Sequence, residues 1–296
     1  MGNNMIIYKV LRLNQAYKQI VVLLPIVATF KALSRDELLR ITFAVISYTF
    51  AAGFVYIYND IFDVEEDRKD ELKMMRPYAA RKITIKKMYF FSLVFLSLAF
   101  LLILFLPNKL QLATILSFYL LINLAYSFFH LKHNVVLGLS IVGIGFPLRF
   151  LFGSLALDLE PSIWGIILLF ELAIFMLCGK RFQSNQLASY QKQLGVNKRT
   201  EVNFWLLVNV LMGSLFLTTY VAFAANFENQ QNWGKVTLLL AIIPLSLGVI
   251  RYIEIVLNPV LGHKKIATEI VVKDLTIIVL AIIFCIVLAI GRLILA

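Results

Sequence analysis

Between residues 59 and 67 the chain reads Asn59-Asp60-Ile61-Phe62-Asp63-Val64-Glu65-Glu66-Asp67, directly after a long apolar run. Continued as helix, the spacing i, i+3, i+7 puts Asp60, Asp63 and Asp67 on one face, with Asn59 bordering it. Like charges so placed repel unless a cation sits among them. Hard oxygen ligands suit magnesium, which keeps some waters and takes its other ligands from substrate phosphates. The expected metal set is therefore Asp60, Asp63 and Asp67, and neutralising one of them is expected to leave folding unharmed. The plainer alternative is a solvated acidic helix end balanced by Arg68, Lys69 and Lys73. Position favours the metal, because carboxylates at a membrane edge are costly and functional by default.

That edge follows from the composition. Of 296 residues, 60% are hydrophobic and 15% charged, against roughly 45–50% and about 25% in soluble chains. Mean hydropathy is +0.84, and apolar stretches of about twenty residues recur from end to end. A soluble enzyme, a disordered chain and a disulfide scaffold are excluded; Cys178 and Cys285 read as small buried hydrophobes. Nine helices are expected, at 17–34, 38–58, 88–106, 110–129, 135–157, 162–178, 203–226, 236–257 and 270–294. The fold class is thus an all-α polytopic membrane protein, a nine-helix bundle read as a single domain over 1–296. The N-terminal segment reads as part of a retained first helix and not as a cleaved signal.

A net charge of +11 would suggest nucleic acid in a soluble protein. Here 21 of the 28 Lys and Arg fall on one side of the expected spans, so no nucleic-acid partner is expected. The positive-inside rule puts the N-terminus and the polar loops 59–87 and 179–202 in the cytoplasm, and the C-terminus outside. The expected location is the cytoplasmic (inner) membrane, with chemistry at its cytoplasmic face.

The motif NDxxDxxxD at Asn59 to Asp67, at the end of the second helix, resembles the first aspartate motif of the UbiA superfamily of intramembrane prenyltransferases. The resemblance implies a helical bundle around a central cavity, with magnesium and a diphosphate at its cytoplasmic mouth. Most members carry a second aspartate motif after the sixth helix. From Gly179 to Val202 this chain has no Asp and a single Glu, Glu201, but offers Gly179-Lys180-Arg181. Lys and Arg donate directly to phosphate oxygens. The substitution suggests one metal-bound diphosphate and a second, separately bound phosphate.

This pattern resembles the decaprenyl-phosphate phosphoribosyltransferase branch. The similarity runs through Leu11-Arg12-Leu13-Asn14-Gln15 with Lys18, Asn59 to Asp67 with Arg68, Lys73 and Arg76-Pro77, and Tyr126-Ser127 with Lys132-His133. It continues through Gly145-Phe146 with Leu148-Arg149, Gly179-Lys180-Arg181, and Thr268-Glu269 with Asp274. Asp70-Glu71, Arg81, Gly138 and Ala267 depart from the branch pattern.

The branch implies magnesium-dependent transfer of 5-phosphoribosyl from phosphoribosyl diphosphate to a polyprenyl phosphate, for cell-envelope glycan precursors. It implies substrate contacts from Lys18, Asn59, Arg68, Lys73 and Arg76, from Tyr126 and Lys132, and from Arg149, Lys180 and Arg181. The last three are expected to hold a monophosphate, either the ribose 5-phosphate or the polyprenyl phosphate. Arg149, inside the fifth span, has pairing with Glu171 as an alternative. Asp274 is expected to face inward, as partner to a Lys or as part of a polar floor. Two rival functions stand beside this one: prenyl transfer to an aromatic acceptor, and transport supported by the intramembrane charges Arg149, Glu171 and Asp274.

Overall fold

The computed structural model describes residues 10, 12–29, 33–70, 73–131, 134–192, 196–226, 232–258 and 273–295. Among them the regular structure is entirely helical. A 3-10 segment, Leu13–Leu23, runs into α1 (Leu24–Thr29). It is followed by α2 (Arg35–Phe62), the short α3 (Val64–Asp67), α4 (Ile85–Ile103), α5 (Lys109–Phe128) and α6 (Val135–Ala156). Then come α7 (Ile163–Lys192), α8 (Val196–Ala225), α9 (Asn232–Leu240), α10 (Ile242–Leu257) and α11 (Leu275–Leu295). Among the described residues seven helical spans are long and apolar enough to cross a membrane, the last of them Gly234–Leu257 across α9 and α10, and Ala16–Val27 and Leu275–Gly291 are shorter apolar helices. Seven of the nine segments expected from the sequence overlap the seven long spans, and 17–34 and 270–294 overlap the two shorter helices within the described residues.

The chain divides into two compact units, Met1–Ile166 and Ile167–Ala296. In the first, α2 is the most enclosed span, 50% buried where the other long spans are 22–39%. It packs on α4, α5, α6 and the 3-10 segment. Its start is fixed by a capping box: Ser34 Oγ accepts from the Glu37 amide, and a Glu37 carboxylate oxygen accepts from the Ser34 amide at 2.9 Å. With 28 residues it is about 42 Å long, against ~30 Å of hydrocarbon. The helix therefore outruns the apolar layer and carries Asn59 and Asp60 to its edge.

Around Tyr48 the unit's core is aromatic. The Tyr48 ring lies 4.8 Å from that of Tyr119 and 5.3 Å from that of Phe152. The 3-10 segment is seated against α6 at Gly153, where a Cβ would run into the Val22 carbonyl. Any larger residue at 153 would lift the N-terminal segment off the bundle.

In the second unit, buried side chains donate to backbone carbonyls: Gln183 to Ile255 at 3.0 Å, Asn209 to Phe175 at 2.7 Å and Tyr252 to Met176 at 2.7 Å. Such bonds satisfy polar groups where water is scarce. Gly179 allows the last of them, because a Cβ there would lie 2.5 Å from the Tyr252 oxygen.

Two expectations are corrected here. Residues 179–192 are not loop: α7 continues through them, and α8 begins at Val196. From Lys180 to Leu194 the sequence holds no Gly or Pro to stop a helix, so α7 carries on past its apolar stretch. Cys178 is buried as expected, but Cys285 is exposed, on the largely apolar α11.

Candidate active site

The site is built where α2 ends. Helical hydrogen bonding continues through the break at Asp63, whose amide donates to the Asn59 carbonyl at 2.9 Å, while the Asp67 amide donates to the Asp63 carbonyl at 2.8 Å. Asp60 and Asp67, two turns apart, consequently lie on one side and are both buried, at 4% and 1% exposed. Asp63 is half-buried.

Beyond α3 the chain returns through a series of turns: the Arg76 amide donates to the Lys73 carbonyl at 2.9 Å, and the Ala80 amide to that of Arg76 at 2.9 Å. Ala79 and Ile83 are buried, which pins this segment to the unit. The turns bring Arg76 over the carboxylates. Its Nη1 donates to Asp67 Oδ2 at 2.5 Å and to Asp60 Oδ1 at 3.2 Å. A second guanidinium, that of Arg12 at the start of the 3-10 segment, donates to the same Asp60 oxygen. Its Cζ also stands 4.8 Å from the centre of the Tyr56 ring. Asn59 Oδ1 accepts a hydrogen bond from Ser127, on α5.

This arrangement corrects the expectation that neutralising an acid leaves folding unharmed. Asp60 is held in two ion pairs, so removing its charge takes from Arg12 its ion pair with Asp60 and leaves Arg76 with Asp67 alone. Burial raises the Asp67 carboxyl above its ordinary range, and the Arg76 charge offsets part of that rise.

Sequence reasoning gathered three carboxylates as one metal set. Among the described residues no group of three or more His, Cys, Asp or Glu is close enough to hold an ion. Two buried aspartates are brought together, sharing one Arg76 nitrogen. Hard-oxygen donors suit magnesium, which often takes only one or two carboxylates and completes its shell with water and phosphate. The donor chemistry of Asp60 and Asp67 fits such an ion.

The other expected contacts divide. Arg68 donates to Glu65 at 2.7 Å and Lys73 pairs with Asp70 at 3.4 Å, both exposed pairs of the kind the plainer reading anticipated, though at i,i+3. Lys18 and Tyr126 are half-buried; Lys132, like Thr268 and Glu269, lies outside the described residues. In the second unit Lys180 and Arg181 occupy neighbouring positions on α7, with the Arg181 guanidinium 5.2 Å from the centre of the Trp205 ring. Its buried Nε has no hydrogen-bond partner among the described residues.

Arg149 is 6% exposed. Its Nε donates to Gln19 at 3.0 Å and its Nη1 to the Gly145 carbonyl at 2.5 Å, while Nη2 lies 3.4 Å from the Tyr119 hydroxyl. The rings of Tyr48, Tyr119 and Phe146 surround its Cζ at 5.0–5.8 Å. No ion pair among the described residues includes it. Glu171 instead accepts from Thr219 at 2.9 Å. Asp274 pairs with Arg251 at 2.9 Å, not with a Lys, and accepts from the Ile277 amide at the start of α11. Glu171 and Asp274, two of the three charges that supported a transporter, thus have local structural partners.

Arg12, Gln19, Tyr119 and Ser127 received no role from the sequence. Arg12 was visible as part of the Leu11 to Gln15 string, but nothing local tied it to Asp60, 48 positions away.

Known proteins resemble this chain along most of its length. A decaprenyl-phosphate phosphoribosyltransferase of Corynebacterium glutamicum is 26% identical over 95% of this chain and 86% of its own. One from Mycolicibacterium smegmatis is 28% identical over 81% of this chain and 76% of its own. The solved structure of a UbiA homolog from Archaeoglobus fulgidus, bound to DMAPP and Mg2+, superposes with a TM-score of 0.70 at 14% identity, over 97% of each chain. The model of the UbiA prenyltransferase family matches residues 21–268, and this chain, a transferase embedded in the membrane, belongs to that family.

Proposed function

We propose that the protein transfers the 5-phosphoribosyl group of phosphoribosyl diphosphate to a polyprenyl phosphate, releasing diphosphate, in the synthesis of cell-envelope glycan precursors. The observation that carries this reading is the pair of buried aspartates, Asp60 and Asp67, joined by Arg76 at the end of α2. Relatives named decaprenyl-phosphate phosphoribosyltransferase, aligned along most of the chain, support the choice of substrates. The whole chain acts as one membrane-embedded domain with nine crossings and a cytoplasmic N-terminus.

Asp60 and Asp67, with Asp63 beside them, would hold magnesium, which when bound supplies positive charge to the diphosphate. Arg76 and Lys73 donate to the diphosphate oxygens as negative charge builds on them. Asn59, fixed by Ser127, is a further substrate contact, and the sequence resemblance assigns Lys18, Arg68, Tyr126 and Lys132 to the same task. The bond from the anomeric carbon to the diphosphate oxygen breaks, and that carbon is taken by an oxygen of the polyprenyl phosphate. The attacking oxygen is already ionised at neutral pH, so no general base is required. Lys180 and Arg181 supply charge-assisted donors to a monophosphate. Arg149, a buried cation in no described ion pair, attracts an anionic substrate group because an added anion offsets its burial cost.

The test uses purified protein with magnesium, labelled phosphoribosyl diphosphate and a polyprenyl phosphate. Label in the organic phase, with one diphosphate released per ribosyl transferred, supports the reading. Turnover only when a prenyl diphosphate and a hydroxybenzoate are supplied refutes it.

A further inference from the structure

Four of the charges at the end of α2 are joined by ion pairs and balance one another: two carboxylates, Asp60 and Asp67, against two guanidiniums, Arg12 and Arg76. All four side chains are mostly shielded, the aspartates at 4% and 2% exposed and the arginines at 15% and 26%. A divalent cation that draws on Asp60 Oδ1 or Asp67 Oδ2 competes with the guanidiniums for those oxygens. If it joined them without rearrangement, the enclosed cluster would carry two excess positive charges, a costly state. A diphosphate supplies more negative charge than one divalent ion removes. The guanidiniums that leave the carboxylates then have phosphate oxygens to take in exchange, in the bidentate geometry Arg favours.

We infer that Arg12 is an exchange residue: it occupies Asp60 when no metal-diphosphate is bound, and turns to the diphosphate when the metal takes Asp60. The inference rests on the reading of this site as a metal-diphosphate site and adds a residue to it. Two features support Arg12 in particular. It precedes the Leu13–Leu23 segment with a backbone φ of 48°, a left-handed conformation unfavourable for a non-glycine residue, and such strain is concentrated at functional sites. Its guanidinium also lies against the Tyr56 ring, a second resting place that does not depend on Asp60.

The consequence is a pair of opposite effects. In Arg12→Gln the metal no longer competes with this guanidinium for Asp60, so magnesium alone, titrated calorimetrically into the full-length protein, should bind several-fold more tightly. Inorganic diphosphate, titrated in saturating magnesium, should bind roughly tenfold or more weakly, as expected for the loss of one charge-assisted contact. Arg12→Lys should restore much of the diphosphate affinity. In an Asp60→Asn background, Arg12→Gln should leave magnesium binding unmoved. A merely structural Arg12 would weaken both ligands together and lower the melting temperature. Any result in which the two affinities do not move in opposite directions overturns the inference. Phosphoribosyl transfer with wild-type constants in Arg12→Gln would leave the proposed function standing and remove the exchange. Opposite shifts in a protein that consumes no phosphoribosyl diphosphate would do the reverse.

Discussion

Asp60 and Asp67, seven residues apart on either side of the break at Asp63, share a single nitrogen of Arg76, at 3.2 and 2.5 Å. The sharing means that neither carboxylate binds a cation or can be replaced without changing the other. The three aspartates consequently differ in what their removal should do.

Asp60→Asn should lower both activity and stability. Turnover should fall at least a hundredfold, and the lost pairing of Arg12, with the weakened pairing of Arg76, should cost about 1–3 kcal/mol. Asp63→Asn, at a half-buried position, should lose activity with little change in melting temperature. Activity assays and thermal unfolding on the same preparations check the contrast; near-normal activity in both variants would refute the metal site.

The raised Asp67 carboxyl gives a signed pH dependence. A folded-state pKa above the unfolded one means the folded protein takes up this proton more readily. As pH falls through the raised value, stability should rise in the wild type relative to Asp67→Asn, while magnesium affinity falls because the ligand is lost. Asp274 carries the opposite sign: its hydrogen bond from Arg251 lowers its pKa, so its stabilisation holds above the ordinary Asp range and disappears as pH drops through the lowered value. Melting curves from neutral to acid pH, with each variant beside the wild type, separate the two.

Replacing Lys180 and Arg181 together by Ala should raise KM for one phosphorylated substrate by roughly tenfold or more, given about 1.5–3 kcal/mol per charge-assisted hydrogen bond. Magnesium affinity should change little. Arg181→Lys, which loses the flat contact with Trp205 but keeps the charge, should retain most of the affinity. Steady-state kinetics on the folded variants decide it; wild-type constants for both substrates in the double variant would refute the second phosphate site.

Gly153→Ala should destabilise the first unit by about 1–3 kcal/mol, the usual cost of overpacking. The added Cβ meets the Val22 backbone, which cannot rotate away as a side chain can. Because Gln19 and Arg12 ride on the same segment, diphosphate affinity should fall as well. Thermal unfolding and diphosphate titration measure the two effects.

Single cysteines in a background lacking Cys178 and Cys285 test the orientation. Asp70→Cys and Tyr190→Cys should react only from the cytoplasmic side, and Gln230→Cys only from outside. Positions 70 and 230 reacting from the same side would break the nine-crossing reading.

The apolar segments and the Asp60/Asp67 pairing were legible in the sequence, because hydropathy and the 3.6-residue period are properties of neighbouring residues. The motif at Asn59 to Asp67 also motivates the proposed metal chemistry, since oxygen ligands at a membrane edge favour a hard cation. Hydropathy marks where a helix meets lipid and not where its hydrogen bonding stops, so it hid the continuation of α7 to Lys192. Pairings between distant charges were out of reach. Arg12 reaches Asp60 across 48 positions, Ser127 reaches Asn59 across 68, and Arg251 reaches Asp274 across 23. Each depends on which helix faces pack together, and a buried charge takes the partner that packing puts within a few ångströms. Tertiary structure alone therefore decided that the aspartates share their site with two arginines.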